Sequence, residues 1–402
     1  MTTLAEPVER VPARWTALLS LAGLGLFTAF YGPIQVLLGK QAQALEPDDK
    51  ELALGLVVGF GALVSMVANP LFGAWSDRTT WRIGRRLPWT AIGAAGGAVS
   101  LVVLALAPNI VVMALGWCLA QLTLNAMMAA LVAAVPDQVP HAQRGMVGGW
   151  FGMGQTLGIV VGSGLAAAAG GLVAGYLVCA AFLLVATVPY LALRRDTVID
   201  SPPPFDWRAF WISPRRHPDF GWAWLTRFLM NLGNAIAIVY LLYFLQDAVG
   251  YADPDSGVFV LTAIYAATLL STVVIGGVWS DRARRRRVFV MWAGIVMSVA
   301  ALVLALFPTW PGALVAAAVL GLGFGVYTSV DFALMTEVLP NATDRGKDLG
   351  VINVANALPQ VLAPVLAAPV VTYLGGYPVL YGLAAVVGIA GAVLVYRIRS
   401  VA

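Results

Sequence analysis

The chain has 402 residues, of which 60% are hydrophobic and 11% charged, and its mean hydropathy is +0.84. A soluble globular protein carries about 25% charged residues, so this composition belongs to a protein immersed in a bilayer. The long apolar runs exclude an outer-membrane barrel, whose strands alternate apolar and polar side chains, and a net charge of +4, scattered along the chain, excludes a nucleic-acid-binding protein.

Taken in order, residues 1–14 form a short charged N-terminus, and the run that follows is too long for a signal-peptide core, so it reads as a retained span. Apolar runs bounded by charge, Pro or Gly predict twelve membrane helices, over 15–38, 52–75, 88–106, 110–135, 145–169, 172–193, 220–245, 257–279, 288–307, 311–335, 349–374 and 379–396. Since each span needs about 20 apolar residues, little chain remains for a soluble domain. The longest interruption, 194–219, holds five arginines, four aspartates and a Ser-Pro-Pro-Pro run at 201–204, the composition of an extended, solvated linker. It separates a first six-helix group, 15–193, from a second, 220–396, and residues 397–402 close the chain.

With the N-terminus placed in the cytoplasm and the sides alternated, only Lys40 and Lys50 of the 24 basic residues fall outside. The outer loops carry Glu46, Asp48, Asp49, Glu51, Asp247, Asp253 and Asp255 instead. This asymmetry supports the helix count and puts both termini in the cytoplasm. Cys118 and Cys179 lie inside apolar runs, which argues against a structural disulfide.

The two groups repeat each other. Gly73-Ala74-Trp75-Ser76-Asp77-Arg78 returns as Gly277-Val278-Trp279-Ser280-Asp281-Arg282 at an offset of 204, and Asp137-Gln138-Val139-Pro140 with Arg144 returns as Glu337-Val338-Leu339-Pro340 with Arg345 at 200 to 201. Parallel repeats of six helices resemble the major facilitator transporters, in which two six-helix bundles rock about a midplane site. The resemblance implies that the repeated loop latches the cytoplasmic side. Gly73 would let a neighbouring backbone approach, Asp77 would sit near the start of helix 11, and Arg78 and Arg85 would face Asp137, with Arg144 nearby. Gly277, Asp281, Arg282, Glu337 and Arg345 would serve the second copy in the same way. The bland alternative is that these charges only enforce topology. The stretch from Asn69-Pro70 through Asp77-Arg78, five further residues, Gly84-Arg85-Arg86 and Pro88 is similar to the loop of the glycoside-pentoside-hexuronide transporters, above all their sucrose branch. Gly346 to Gln360 is similar to helix 11 of bacterial relatives of that branch.

Polar groups at membrane depth are candidates for function, because an unpaired one is costly in hydrocarbon. Helix 4 carries Trp117, Gln121 and Asn125 on one face, helix 7 carries Arg227, Asn231 and Asn234, and helix 10 carries Tyr327, Thr328 and Asp331. Helix 1 adds Tyr31 and Gln35, and helix 11 adds Asn353, Asn356 and Gln360. Amides with aromatic rings suit a neutral, hydroxyl-rich solute. The same amides could simply tie helices together. Asp331 is the one acid expected within a span, and Arg227 lies about as deep. They could form a plain ion pair, or Asp331 could titrate and couple transport to protons. Helix 2 has no acid between Leu52 and Trp75, which weighs against the sodium coupling seen in the wider family. The glycines of helix 5 read as close packing, although drug antiporters bear a related motif there.

His141 and His217 have no metal partners nearby, and no nucleotide-binding loop is present, so no metal, cofactor, nucleic-acid or obligate protein partner is expected. The reading is an all-α, twelve-helix secondary transporter of a bacterial inner membrane, moving a sugar or related small neutral solute with protons. The bacterial assignment rests on the excess of Arg over Lys, abundant Ala and short loops. A drug or metabolite efflux antiporter is the rival within transport. A non-transporting sensor or membrane-embedded enzyme is the rival outside it.

Overall fold

The computed structural model describes residues 9–198, 217–283, 285–338 and 345–400, and among them all regular structure is helical. In hydrocarbon every backbone N–H and C=O must be satisfied within its own segment, and for these apolar runs the helix is the element that does so. In chain order the helices are α1 (Ala13–Leu45), α2 (Lys50–Asp77), α3 (Leu87–Ala105), α4 (Ile110–Gln138), α5 (His141–Ala168) and α6 (Leu172–Ala192), then α7 (Pro218–Val239, continued by Leu241–Ala248 after a 43° bend). There follow α8 (Pro254–Ala283), α9 (Arg286–Leu306), α10 (Trp310–Glu337), α11 (Arg345–Tyr373) and α12 (Gly376–Leu394). Among the described residues eleven helices are long and apolar enough to cross a membrane, or twelve with the bent pair counted as one span.

Several helices outrun the apolar windows that predict them. Asp77, Asp137 and Arg282, expected just beyond helix ends, lie on the last turns of α2, α4 and α8. Hydropathy marks the hydrocarbon slab, whereas backbone hydrogen bonding continues into the headgroup region until the chain must turn. Side-chain caps fix two starts: Asn109 accepts from the Val112 N–H at the head of α4, and Thr309 accepts from the Gly312 N–H at the head of α10. The two caps stand at matching places in the sequence repeat.

By packing, the chain divides into two compact units, one of Met1–Glu46 with Phe60–Phe205 and one of Pro47–Gly59 with Asp206–Ala402. In the first, α1 packs on α5 and α6, and α3 packs on α4 and α6. In the second, α7 packs on α11 and α12, and α9 packs on α10 and α12. The partner pattern therefore recurs at a spacing of six helices, as the sequence repeat does. The α1–α5 crossing is close because it is made of glycine: a Cβ at Gly162 would stand 2.7 Å from the Gly32 nitrogen.

The segment expected as a solvated linker over 194–219 departs from that expectation at both ends. The helix α7 begins at Pro218, and Thr197 accepts a hydrogen bond from the Arg85 N–H at 3.1 Å. Residues 199–216 lie outside the described ones.

Candidate functional site

In the first unit a polar cluster joins α2 and α4. The Asn125 amide donates to the Gln121 carbonyl (2.7 Å), the Gln121 side-chain oxygen (3.2 Å) and the Ser65 hydroxyl (2.9 Å), and Asn69 donates to the Asn125 oxygen at 3.4 Å. Gln121 and Asn125 are thus brought together as their spacing of four residues suggests. Ser65 and Asn69, one helical turn apart on α2, are members that sequence reasoning passed over as site residues. Trp117 takes no part in the cluster. It is fully buried, with its indole against Gly61, where even a Cβ would collide with the ring. On α1, Tyr31 lies beside the side chain of Gln155 and stacks on Phe27 at 6.3 Å between centroids. Two residues on, Pro33 has no N–H to donate, and the helix widens over Pro33–Leu37 into a π-helical turn that contains Gln35. Gln155 was likewise unforeseen.

The second unit holds the one acid–base pair described at membrane depth. Arg227 on α7 places Nη1 2.7 Å from Asp331 Oδ2 on α10 and donates through Nε to the Asn356 oxygen on α11 at 2.8 Å. Asn231, one turn along α7, donates to the same Asn356 oxygen at 3.2 Å and to the Arg227 carbonyl at 2.9 Å. Three helices therefore meet on one guanidinium. Asp331 is buried, and a buried carboxylate is tolerated at such a place when a cation and hydrogen bonds neutralise it. Tyr327 is buried beside Asp331 and Asn231, its hydroxyl without a hydrogen bond of normal geometry. Asn234 is also buried, with its oxygen unpartnered, while Thr328 hydrogen-bonds back to the Gly325 carbonyl of its own helix. Further toward the acidic end of the same unit, Lys50 donates to Asp247 at 2.7 Å and lies over the Tyr243 ring. Tyr377 donates to the other Asp247 oxygen at 2.9 Å, and Tyr240 donates to the Glu51 carbonyl at 2.8 Å.

The first copy of the repeated loop forms a dense ionic knot. Arg85 grips Asp137 through Nε at 3.0 Å and through Nη2, and Arg86 adds a third bond to Asp137 at 2.7 Å. Arg86 also reaches Asp77 at 2.5 Å and donates to the Ser76 hydroxyl. Burial alone would lower the pKa of the Arg86 guanidinium, but Asp137 and Asp77 hold it above its ordinary value, so its charge is secure. Arg78, expected to face Asp137, donates through Nη1 to the Ala74 carbonyl near the end of α2 at 3.0 Å. Gly73, expected to admit a neighbouring backbone, would meet nothing within 4 Å among the described residues if it carried a Cβ.

The knot is held from a direction that sequence reasoning missed. Asp196, beyond the end of α6, accepts from the N–H groups of Arg86 (2.6 Å) and Leu87 (2.7 Å) with one oxygen, and from Thr197 at 2.7 Å with the other. It thereby caps α3, whose first N–H groups have no partner within the helix. Gly84 makes room for it. Its φ of +107° suits glycine, and a Cβ there would collide with Asp196. Of the second copy, Arg282 is exposed, while the side chains of Gly277, Asp281, Glu337 and Arg345, like that of Arg144, lie outside the described residues. The side chains at the start of α11, where Asp77 was expected to point, lie outside them too.

No group of three His, Cys, Asp or Glu residues able to hold a metal occurs among the described residues. The arrangement offers amides, hydroxyls and one neutralised acid at membrane depth, with an ionic knot at the arginine-rich end. The sequence profile of the Major Facilitator Superfamily matches residues 15–271 and again 223–402, so that the two matches together run from α1 to the end of the chain. Helices of bilayer length, a packing pattern repeated at six helices and this match lead to one conclusion: the chain is a multi-pass membrane protein belonging to the Major Facilitator Superfamily, a family that transports small molecules rather than transforming them.

Proposed function

We propose that the chain is a secondary transporter that moves a sugar or related small neutral, hydroxylated solute by alternating access, driven by protons, in a bacterial inner membrane with both termini in the cytoplasm. The observation that carries the coupling is the buried Asp331–Arg227 pair at 2.7 Å, tied to a third helix through Asn356. Proton addition to Asp331 discharges the pair and loosens Arg227 from α10, so a proton can alter how α7, α10 and α11 hold together. The amides of Gln121, Asn125, Asn231 and Asn234, with Tyr31, Gln35, Tyr327 and Thr328, supply donors, acceptors and ring faces for a hydroxylated ring, and the buried Trp117 backs them from behind. The knot of Asp77, Arg85, Arg86 and Asp137 serves as the inner latch in this reading. The glycoside-pentoside-hexuronide likeness of residues 69–88 points to sugars over drugs.

Counterflow of labelled sucrose and maltose in proteoliposomes tests the substrate class. Exchange above protein-free vesicles supports a sugar, whereas no sugar movement together with drug sensitivity on gene deletion supports the exporter. For coupling, an Asp331→Asn variant is expected to keep counterflow and lose accumulation driven by a pH gradient. Undiminished pH-driven accumulation by that variant removes Asp331 from the coupling step.

A further inference from the structure

The loop between α2 and α3 contains five residues, Thr79 to Ile83, that the ionic knot does not use. Four of them, Thr80 to Ile83, are exposed, and two of those are large and apolar: Trp81 is 53% and Ile83 63% exposed. The loop has no freedom to fold them inward. A hydrogen bond from the Gly84 N–H to the Trp81 carbonyl at 2.9 Å closes a turn with Arg82 and Ile83 at its centre. Upstream, Thr79 donates to the Trp75 carbonyl at 3.0 Å and accepts from the Trp89 indole at 2.7 Å. Downstream, Asp196 packs against Gly84. Trp81 and Ile83 are therefore displayed by a rigid turn.

The level of the turn identifies what meets it. The 28 residues of α2 are roughly 42 Å long, enough to cross the hydrocarbon core and reach through the headgroup region. The turn opens at Trp81, only four residues after the last residue of α2, Asp77. Just before Asp77, Trp75 is 46% exposed and stacks on Trp89 at 6.1 Å, and Trp279, its match in the second repeat, is 60% exposed. Exposed tryptophans at matching places mark the aromatic belt at which a membrane protein meets the headgroups. Trp81 and Ile83 follow Trp75 closely along the chain, and Thr79, two residues before Trp81, bonds to Trp89, which stacks on Trp75. Between Trp81 and Ile83, Arg82 is exposed and forms no ion pair among the described residues, which leaves its guanidinium for an anion such as a phospholipid phosphate.

We propose that Trp81 and Ile83 form a wedge seated in the headgroup–acyl boundary of the leaflet at the arginine-rich end, with Arg82 on a lipid phosphate. The bilayer thereby holds the loop that carries Arg85 and Arg86. The second repeat is four residues shorter here, with Ala283 alone between Arg282 and a run of arginines, so it has no counterpart of Trp81 or Ile83 and the wedge belongs to the first repeat alone.

The test is a nitroxide on Ile83→Cys in a Cys118→Ala/Cys179→Ala background, reconstituted in vesicles, with power saturation by oxygen and by a water-soluble nickel chelate. Ser400→Cys serves as the aqueous reference and Val99→Cys, exposed on the middle of α3, as the lipid reference. The wedge requires an oxygen-to-nickel collision ratio at position 83 several-fold above that at Ser400, approaching that at Val99. A nickel accessibility equal to that at Ser400 overturns it, and so does shielding from both reagents, which would mean that protein covers the site. In vesicles containing phosphatidylglycerol, Arg82→Gln is expected to move the label outward, and an unchanged depth overturns the phosphate contact. Should the cysteine-free background fail to fold, quenching by lipids brominated near the headgroup is compared between the native chain and Trp81→Phe. A loss of quenchable emission in the variant supports the wedge. Emission from Trp81 quenched by acrylamide and untouched by brominated lipid overturns it.

Discussion

Asp196 illustrates how much one residue beyond a helix end can carry. Its carboxylate enters the N-terminal end of α3, where the aligned peptide dipoles favour negative charge. Burial nonetheless dominates and pushes its pKa above the usual carboxylate range, while hydrogen bonds from Leu87, Arg86 and Thr197 and the charge of Arg86 pull it back. A folded-state value above the unfolded one means that the group's contribution to stability is complete below the ordinary value of about 3.9 and is lost as pH rises through the folded value. Asp196→Asn keeps an acceptor and removes the titration, so its unfolding midpoint in detergent is expected to vary less than that of the native chain between about pH 4 and pH 7. Asp196→Ala loses the acceptor as well and is expected to cost about 1 kcal/mol. An Ala variant as stable as the Asn variant would show that the cap contributes nothing. Arg227 is the other residue on which much depends. Arg227→Ala strands Asp331 in a buried place and is expected to cost about 3–5 kcal/mol, with the Arg227→Ala/Asp331→Ala double variant recovering part of the loss. A double variant no more stable than the single one would mean that the pair is not coupled. From spacing, both Arg227 and Asp331 were legible as candidates. Asn356 was legible only as an amide on helix 11, since nothing in its neighbourhood along the chain says that it accepts from a guanidinium 129 residues away.

At the scale of elements, the glycines of α5 divide into two sets that look alike in the sequence. Gly154, Gly158 and Gly162 lie against α1, where Cβ atoms would meet Ser20, Phe27 and Gly32, whereas Gly148, Gly149 and Gly152 face open space. Gly162→Leu is therefore expected to destabilise by about 1–3 kcal/mol, because the crossing has no room for a side chain. Gly148→Ala, at an open position within the helix, should cost nothing and instead raise stability by up to about 1 kcal/mol through alanine's greater helix propensity. A loss at Gly148 comparable to that at Gly162 would mean that the crossing does not set the response. Helix ends show the same division. The apolar windows locate every span, yet the last turns of α2, α4, α8 and α10 lie outside them because polar residues there remain helical beyond the hydrocarbon. The π-helical turns also escape the sequence. Pro33–Leu37 contains a proline that explains the wider turn, but Phe244–Ala248 has none, and its widened hydrogen bonding, from the Val249 N–H to the Phe244 carbonyl, belongs to the folded segment.

For the whole molecule, the distribution of charge makes an orientation testable. Asp48 and Ser400 are both exposed and lie at the acidic and arginine-rich ends of their helices. With the arginine-rich end in the cytoplasm, a single cysteine at Asp48 is expected to react with an impermeant maleimide in intact cells, and one at Ser400 only after permeabilisation. Equal labelling of both in intact cells would overturn the orientation. Class, number of spans and the twofold repeat were determined by the sequence itself. Each is a sum over a window or a motif that recurs at a fixed offset, and neither needs a partner to be recognised. Tertiary structure decided which polar residues meet. Asp196 caps α3 from more than a hundred residues away, Lys50 pairs with Asp247, and Arg227 gathers Asp331 and Asn356. The reason is physical. In an apolar solvent a buried charge or amide must find whatever partner the packing brings within about 3 Å, and packing joins side chains by proximity in space, which leaves no periodic trace along the chain.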